Sequence, residues 1–159
     1  MEIRKIRKED YSQVQELITS IMKNEFSEDL SAYPLQDIDD ISASYGNLGE
    51  AFFVAADNGM IMGTVGIKRE DERTALLRRI FVKPEFRGQK LGSELLDRAV
   101  EFCREVGYQE MVFKTTSRMQ SAIKLCQNKD FVERAKIELG EIELFKFTRF
   151  LKENSPLAS

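Results

Sequence analysis

The run Arg87-Gly88-Gln89-Lys90-Leu91-Gly92-Ser93 combines cations, two glycines and a hydroxyl where a strand pattern gives way to a helix pattern. A helix N-terminus carries backbone N–H groups without partners and the positive end of the macrodipole, so it suits an anionic phosphate. Gly88 and Gly92 let backbone approach a ligand without a Cβ between. Arg87 can add a charge-assisted contact, and the Ser93 hydroxyl and the Lys90 ammonium lie within the same turn. Two glycines alone are a weak signal, since a plain strand–turn–helix junction uses them too. Neither Gly-x-x-x-x-Gly-Lys-Ser/Thr nor Gly-x-Gly-x-x-Gly occurs, so the P-loop and the dinucleotide fingerprint are excluded.

The chain has no histidine. That removes Ser-His-Asp and Cys-His catalysis and His-ligated zinc. Chemistry is left to carboxylates, Tyr, Cys, Ser, Lys, backbone amides and water. Cys103 and Cys126 have no metal-ligand spacing, so no metal is expected and a reduced, cytoplasmic setting is. A formal charge of -3 lacks the basic excess of a general nucleic-acid binder, and no apolar run has the length of a membrane span.

These residues need elements to hold them. One domain over residues 1–152 with a tail at 153–159 suits the length of 159 residues. Ile3–Arg7 alternates as a strand, and Asp10 with Gln13 resembles a capping box opening a helix to about residue 25. A short helix is expected near Leu35–Ser42. Ala51–Ala55 reads as a buried strand, and Asp57-Asn58-Gly59 as the hairpin turn into Met60–Lys68. Thr74–Val82 is a further strand, stopped at Pro84. Leu91, Leu95, Leu96, Ala99, Phe102, Cys103 and Val106 mark one face of a long helix closed by Gly107. Glu110–Thr115 is a strand, Ser117 with Gln120 a second capping box, and Met119 to Cys126 a helix. Strands near Phe131–Ile137 and Glu141–Phe150 end the pattern. The last carries enough apolar surface for a homodimer, which core burial explains equally well.

The run from Leu77 through Arg87-Gly88-Gln89-Lys90-Leu91-Gly92 to Leu96 resembles the core motif of the GNAT N-acetyltransferase superfamily, in its bacterial-type single-domain form. That motif reads (Arg/Gln)-x-x-Gly-x-(Gly/Ala) directly after a strand. Ser117-Arg118-Met119-Gln120 through Asp130-Phe131 resembles the superfamily's later helix and Gly-Phe turn. The resemblance implies an α/β (α+β) fold with a mixed, mostly antiparallel sheet of about seven strands, splayed at its centre, and helices on both faces. It implies an acetyl-coenzyme A-dependent N-acetyltransferase in which a neutral amine attacks the thioester directly. The alternative is an acyl-coenzyme A-binding module with little or no transferase activity.

By the same resemblance, the amides of Arg87, Gly88, Gln89, Lys90, Leu91, Gly92 and Ser93 meet the pyrophosphate. Ile80, Phe81 and Val82 pair with the pantetheine arm, and a backbone N–H near Val82 polarises the thioester carbonyl. Lys90 occupies the motif's first glycine. Met119 stands at the pantetheine-binding Asn, Cys126 at the Tyr that protonates the leaving thiolate, Leu76 at a common Glu base and Asp130 at the turn glycine. Cys126 reads either as that acid or as a small core residue.

Between Asn24 and Ile67 there is no Lys or Arg, while eight carboxylates fall in that span. With Tyr33, Tyr45 and Glu50, this segment is expected to attract a cationic small-molecule or peptide amine. A solvated acidic surface is the other reading.

Overall fold

The computed structural model describes residues 1–151; the expected tail at 153–159 lies outside them. Seven strands form one sheet: β1 (Glu2–Lys5), β2 (Ala51–Asp57), β3 (Met60–Arg69), β4 (Thr74–Val82), β5 (Glu110–Thr116), β6 (Val132–Leu139) and β7 (Ile142–Phe150). Their order is β1-β2-β3-β4-β5-β7-β6, and every pairing is antiparallel except β4 with β5.

Helices cover both faces, which explains why β2 is an unbroken apolar run rather than an alternating one. Phe53 and Ala55 join a core with α4 (Leu91–Val106) and α5 (Gln120–Asn128). Phe52, Val54 and Ala56 join the other core, under α1 (Tyr11–Glu25), α2 (Gln36–Asp39) and α3 (Ile41–Ser44). No helix among the described residues is long and apolar enough to cross a membrane.

Neither expected capping box closes a helix. Asp10 instead accepts two hydrogen bonds from the Arg4 guanidinium, at 2.6 and 3.1 Å, and one from the Arg7 amide at 2.8 Å. Gln13 clamps the hairpin, donating to the Gly59 carbonyl at 2.8 Å and accepting from the Ile61 amide at 3.0 Å. Gln120 donates to the Ser117 carbonyl, and α5 starts after Met119 without a side-chain cap.

Two features of the sheet make the site. The β4–β5 ladder runs only from Thr74–Glu110 to Leu77–Phe113. Beyond it the strands part, leaving Arg78–Val82 with no strand on that side among the described residues. Within this free stretch, Arg79 and Ile80 together oppose Val65 alone, because Arg78 pairs with Gly66 and Phe81 with Thr64. This is a bulge. Arg79 is left-handed there (φ 52°), and the buried Thr64 hydroxyl donates to its carbonyl at 2.7 Å.

Candidate active site

A cleft of about 630 Å³ opens where β4 and β5 separate. Its floor is the free edge of β4. Its walls include the start of α4, Phe26, Ala32 and Tyr33, and Val112–Lys114 of β5.

At the α4 end, the first helical bond runs from the Glu94 amide to the Lys90 carbonyl at 3.1 Å. The Leu91, Gly92 and Ser93 amides precede it and have no helical acceptor. Lys90 adopts the left-handed conformation at φ 64°, which explains a glycine at that motif position. Gly88 is also left-handed (φ 83°), and a Cβ there would meet nothing within 4 Å, so its backbone faces open space. Gly92 has a different role. A Cβ on it would approach Leu125 at 3.3 Å and Val82 at 3.6 Å, so it serves the packing of α4 rather than ligand access. These unsatisfied amides and the bare Gly88 backbone fit a pyrophosphate.

Most of the expected cofactor residues line this cleft: Ile80, Phe81, Val82, Arg87, Gly88, Lys90, Leu91, Gly92, Ser93 and Met119. Gln89 does not. Arg87 is engaged within the protein, pairing with Glu25 at 2.7 and 2.8 Å while its Nε donates to the Val82 carbonyl at 3.0 Å. A phosphate can recruit this guanidinium only in competition with Glu25.

Several expected site residues lie elsewhere. Cys126 is fully buried in the α4–α5 core and absent from the cleft wall, and burial pushes its thiol up to about 12. This placement fits the reading of Cys126 as a small core residue. Tyr45 is buried too. Its ring packs edge-on against Phe52, and its hydroxyl donates to Asp37 at 2.5 Å. Glu50 binds the Asn47 and Arg69 amides at 3.2 and 3.1 Å and pairs with Lys68, away from the cleft. Of the three expected acceptor residues only Tyr33 reaches the cleft, where its hydroxyl donates to the Lys114 carbonyl at 3.0 Å. Burial holds this phenol up at about 12.

Most carboxylates of the acidic segment are paired from outside it. Asp37 receives Arg79 at 2.6 and 3.1 Å, Glu28 and Asp29 receive Arg118, and Glu25 receives Arg87. Among the described charged residues on the cleft wall, Glu25 is the single carboxylate against Arg78, Arg79, Arg87, Lys90 and Lys114. The expectation of an acidic cleft is therefore reversed. Sequence reasoning missed Arg78, Arg79 and Lys114, because only the fork in the sheet brings them to one wall.

A mixed sheet forked between its central parallel strands, with a helix start of unsatisfied amides beside the fork, is the architecture of acetyltransferases of known structure. Residues 11–131 match the acetyltransferase (GNAT) family, and the chain belongs to that family. It is 31% identical over 137 residues to Probable N-acetyltransferase family 8 member 5 of Mus musculus, covering 82% of this chain and 60% of that protein. It is 34% identical over 101 residues to human N-acetyltransferase 8B, covering 60% of this chain and 44% of that one. The chain thus spans about half the length of these curated relatives. A Staphylococcus aureus GNAT-family acetyltransferase superposes with a TM-score of 0.80 at 27% identity, over 95% of this chain and 99% of that one. A Salmonella typhimurium protein solved with its cofactor acetyl-CoA shares the fold at a TM-score of 0.80 and 22% identity, over 97% and 95%.

Proposed function

We propose that this chain is an acetyl-coenzyme A-dependent N-acetyltransferase acting on a primary amine of a small molecule or peptide. The observation that carries the reading is the fork between β4 and β5, opening directly beside the unsatisfied amides of α4. When bound, acetyl-coenzyme A supplies the activated thioester carbonyl and the thiol leaving group. The Leu91–Ser93 amides and the Gly88 backbone hold the pyrophosphate. The free edge of β4 at Ile80–Val82 offers main-chain bonds to an extended arm, as an added strand would use. A β4 amide near Val82 polarises the reacting carbonyl.

Among the described residues no side chain on the cleft wall is a ready base, since the one carboxylate there, Glu25, is held by Arg87. The amine must then shed its proton to solvent. A lysine-like amine, with pKa about 10.4, is neutral roughly once in a thousand molecules at pH 7. Turnover should therefore rise about tenfold per pH unit below the acceptor's pKa.

The same lack of an acid or base favours the second reading, an acyl-coenzyme A-binding module with little transferase activity. Thiol release from acetyl-coenzyme A across an amine panel separates them. Turnover that climbs with pH and falls at least tenfold in Arg87→Glu supports the transferase. Acetyl-coenzyme A binding without turnover on any amine overturns it.

A further inference from the structure

Arg78 and Lys114 stand at the fork itself. Leu77–Phe113 is the last β4–β5 pair, so they are the next residue on each diverging strand, and both line the cleft. Leu76 pairs with Val112, so the two-residue alternation places Arg78 and Lys114 on one face of the sheet.

Neither cation is fully satisfied. Arg79 and Asp37 form a tight neutral pair, and Arg78 reaches Asp37 only at 4.0 Å. Lys114 is exposed and pairs with no carboxylate among the described residues. Its direct cross-strand partner on β7 is another exposed lysine, Lys146. Like charges opposed across strands are unfavourable, so three cations gather where an anion relieves their repulsion. Arg78 pairs with Gly66 and Val82 with Gly63, three register positions or about 10 Å apart along the sheet, so Arg78 stands at the fork and not at the Val82 end of β4 where Arg87 folds back.

Resting on the transferase reading above, we infer that the acceptor is an amine that also carries a carboxylate, bound by Arg78 and Lys114 at the fork. The carboxylate docks against the two cations and turns the amine toward the free edge of β4. The amine nitrogen forms its bond to the acyl carbon as the carbon–sulfur bond breaks. The proton lost from nitrogen leaves through solvent, which also protonates the departing thiolate. The same cations disfavour a protonated amine beside them, so they assist the neutral form in a cleft without a base. They also repel polyamines.

The test uses matched acceptors that differ only in the carboxylate, such as glycine against glycinamide and β-alanine against β-alaninamide, with putrescine as the cationic control. Binding to the coenzyme A-loaded protein is measured by calorimetry, and turnover by thiol release. The carboxylated member of each pair should bind at least tenfold more tightly. Lys114→Gln with Arg78→Gln should erase that preference while changing the Kd for coenzyme A by less than twofold. Equal binding within each pair, tighter putrescine binding, or a preference that survives the double substitution overturns the inference. Carboxylate-selective binding without turnover on any amine upholds the site and overturns only the transferase reading.

Discussion

Asp37 shows how one carboxylate decides whether a strained backbone can persist. Burial pushes its carboxyl up, but hydrogen bonds from Arg79 and Tyr45 outweigh this and hold it below the usual carboxylate range. The arrangement fixes the bulge, because Arg79 is the left-handed residue of β4 and also donates to the Pro34 carbonyl at 2.7 Å. Asp37→Asn leaves a guanidinium that is only 5% exposed without its counter-charge. Breaking one partner of a buried pair costs about 3–5 kcal/mol, and urea unfolding at pH 7 should read a loss of that size. Because the folded-state pKa is depressed, the stabilisation is complete above the unfolded value of about 3.9 and fades as pH falls through the lower folded value. The gap between wild type and Asp37→Asn should close over that acid window and stay constant from pH 5 to 8.

Close approach between elements depends on glycines in β3. A Cβ on Gly63 would lie 2.9 Å from the Phe81 carbonyl and 2.8 Å from Leu95 of α4. The carbonyl belongs to the strand that carries the bulge and cannot rotate away like a side-chain tip. Gly63→Ala should therefore cost about 1–3 kcal/mol through overpacking and, by displacing β4 at the fork, weaken coenzyme A binding; calorimetry beside thermal unfolding checks both. Nothing local in Met60–Arg69 announces this, since the clash involves atoms from two distant elements. The start of α4 was legible because its signals are local: a strand stop, two glycines and an apolar helical stripe. The acidic segment misled for the opposite reason. Its want of cations between Asn24 and Ile67 is a fact about the chain, whereas Arg79, Arg87 and Arg118 arrive through the fold. For Cys126 the spacing leaves two readings, acid or small core residue, and its packing between α4 and α5 fits the second.

For the molecule as a whole, the fork is a gap in an otherwise continuous sheet, flanked by cations left without full partners. Beyond Leu77–Phe113 the β4 edge has no strand on one side, so a ligand that bonds there completes a sheet as well as filling a cleft. Such a ligand binds the native state alone, since the unfolded chain holds neither fork nor helix start. At a hundred times its dissociation constant it should stabilise the fold by about 2.7 kcal/mol. For a chain of this size that corresponds to a rise in Tm of roughly 5–10 °C. Scanning calorimetry with acetyl-coenzyme A should show that rise. Arg87→Glu should largely lose it, because a second carboxylate then faces Glu25 and the phosphates. Raising the salt from 0.05 to 0.5 M should shrink it, as charged contacts at an open cleft are screened. A shift equal in wild type and Arg87→Glu would mean that the coenzyme binds away from α4, and the placement of the site at the fork would fall with it.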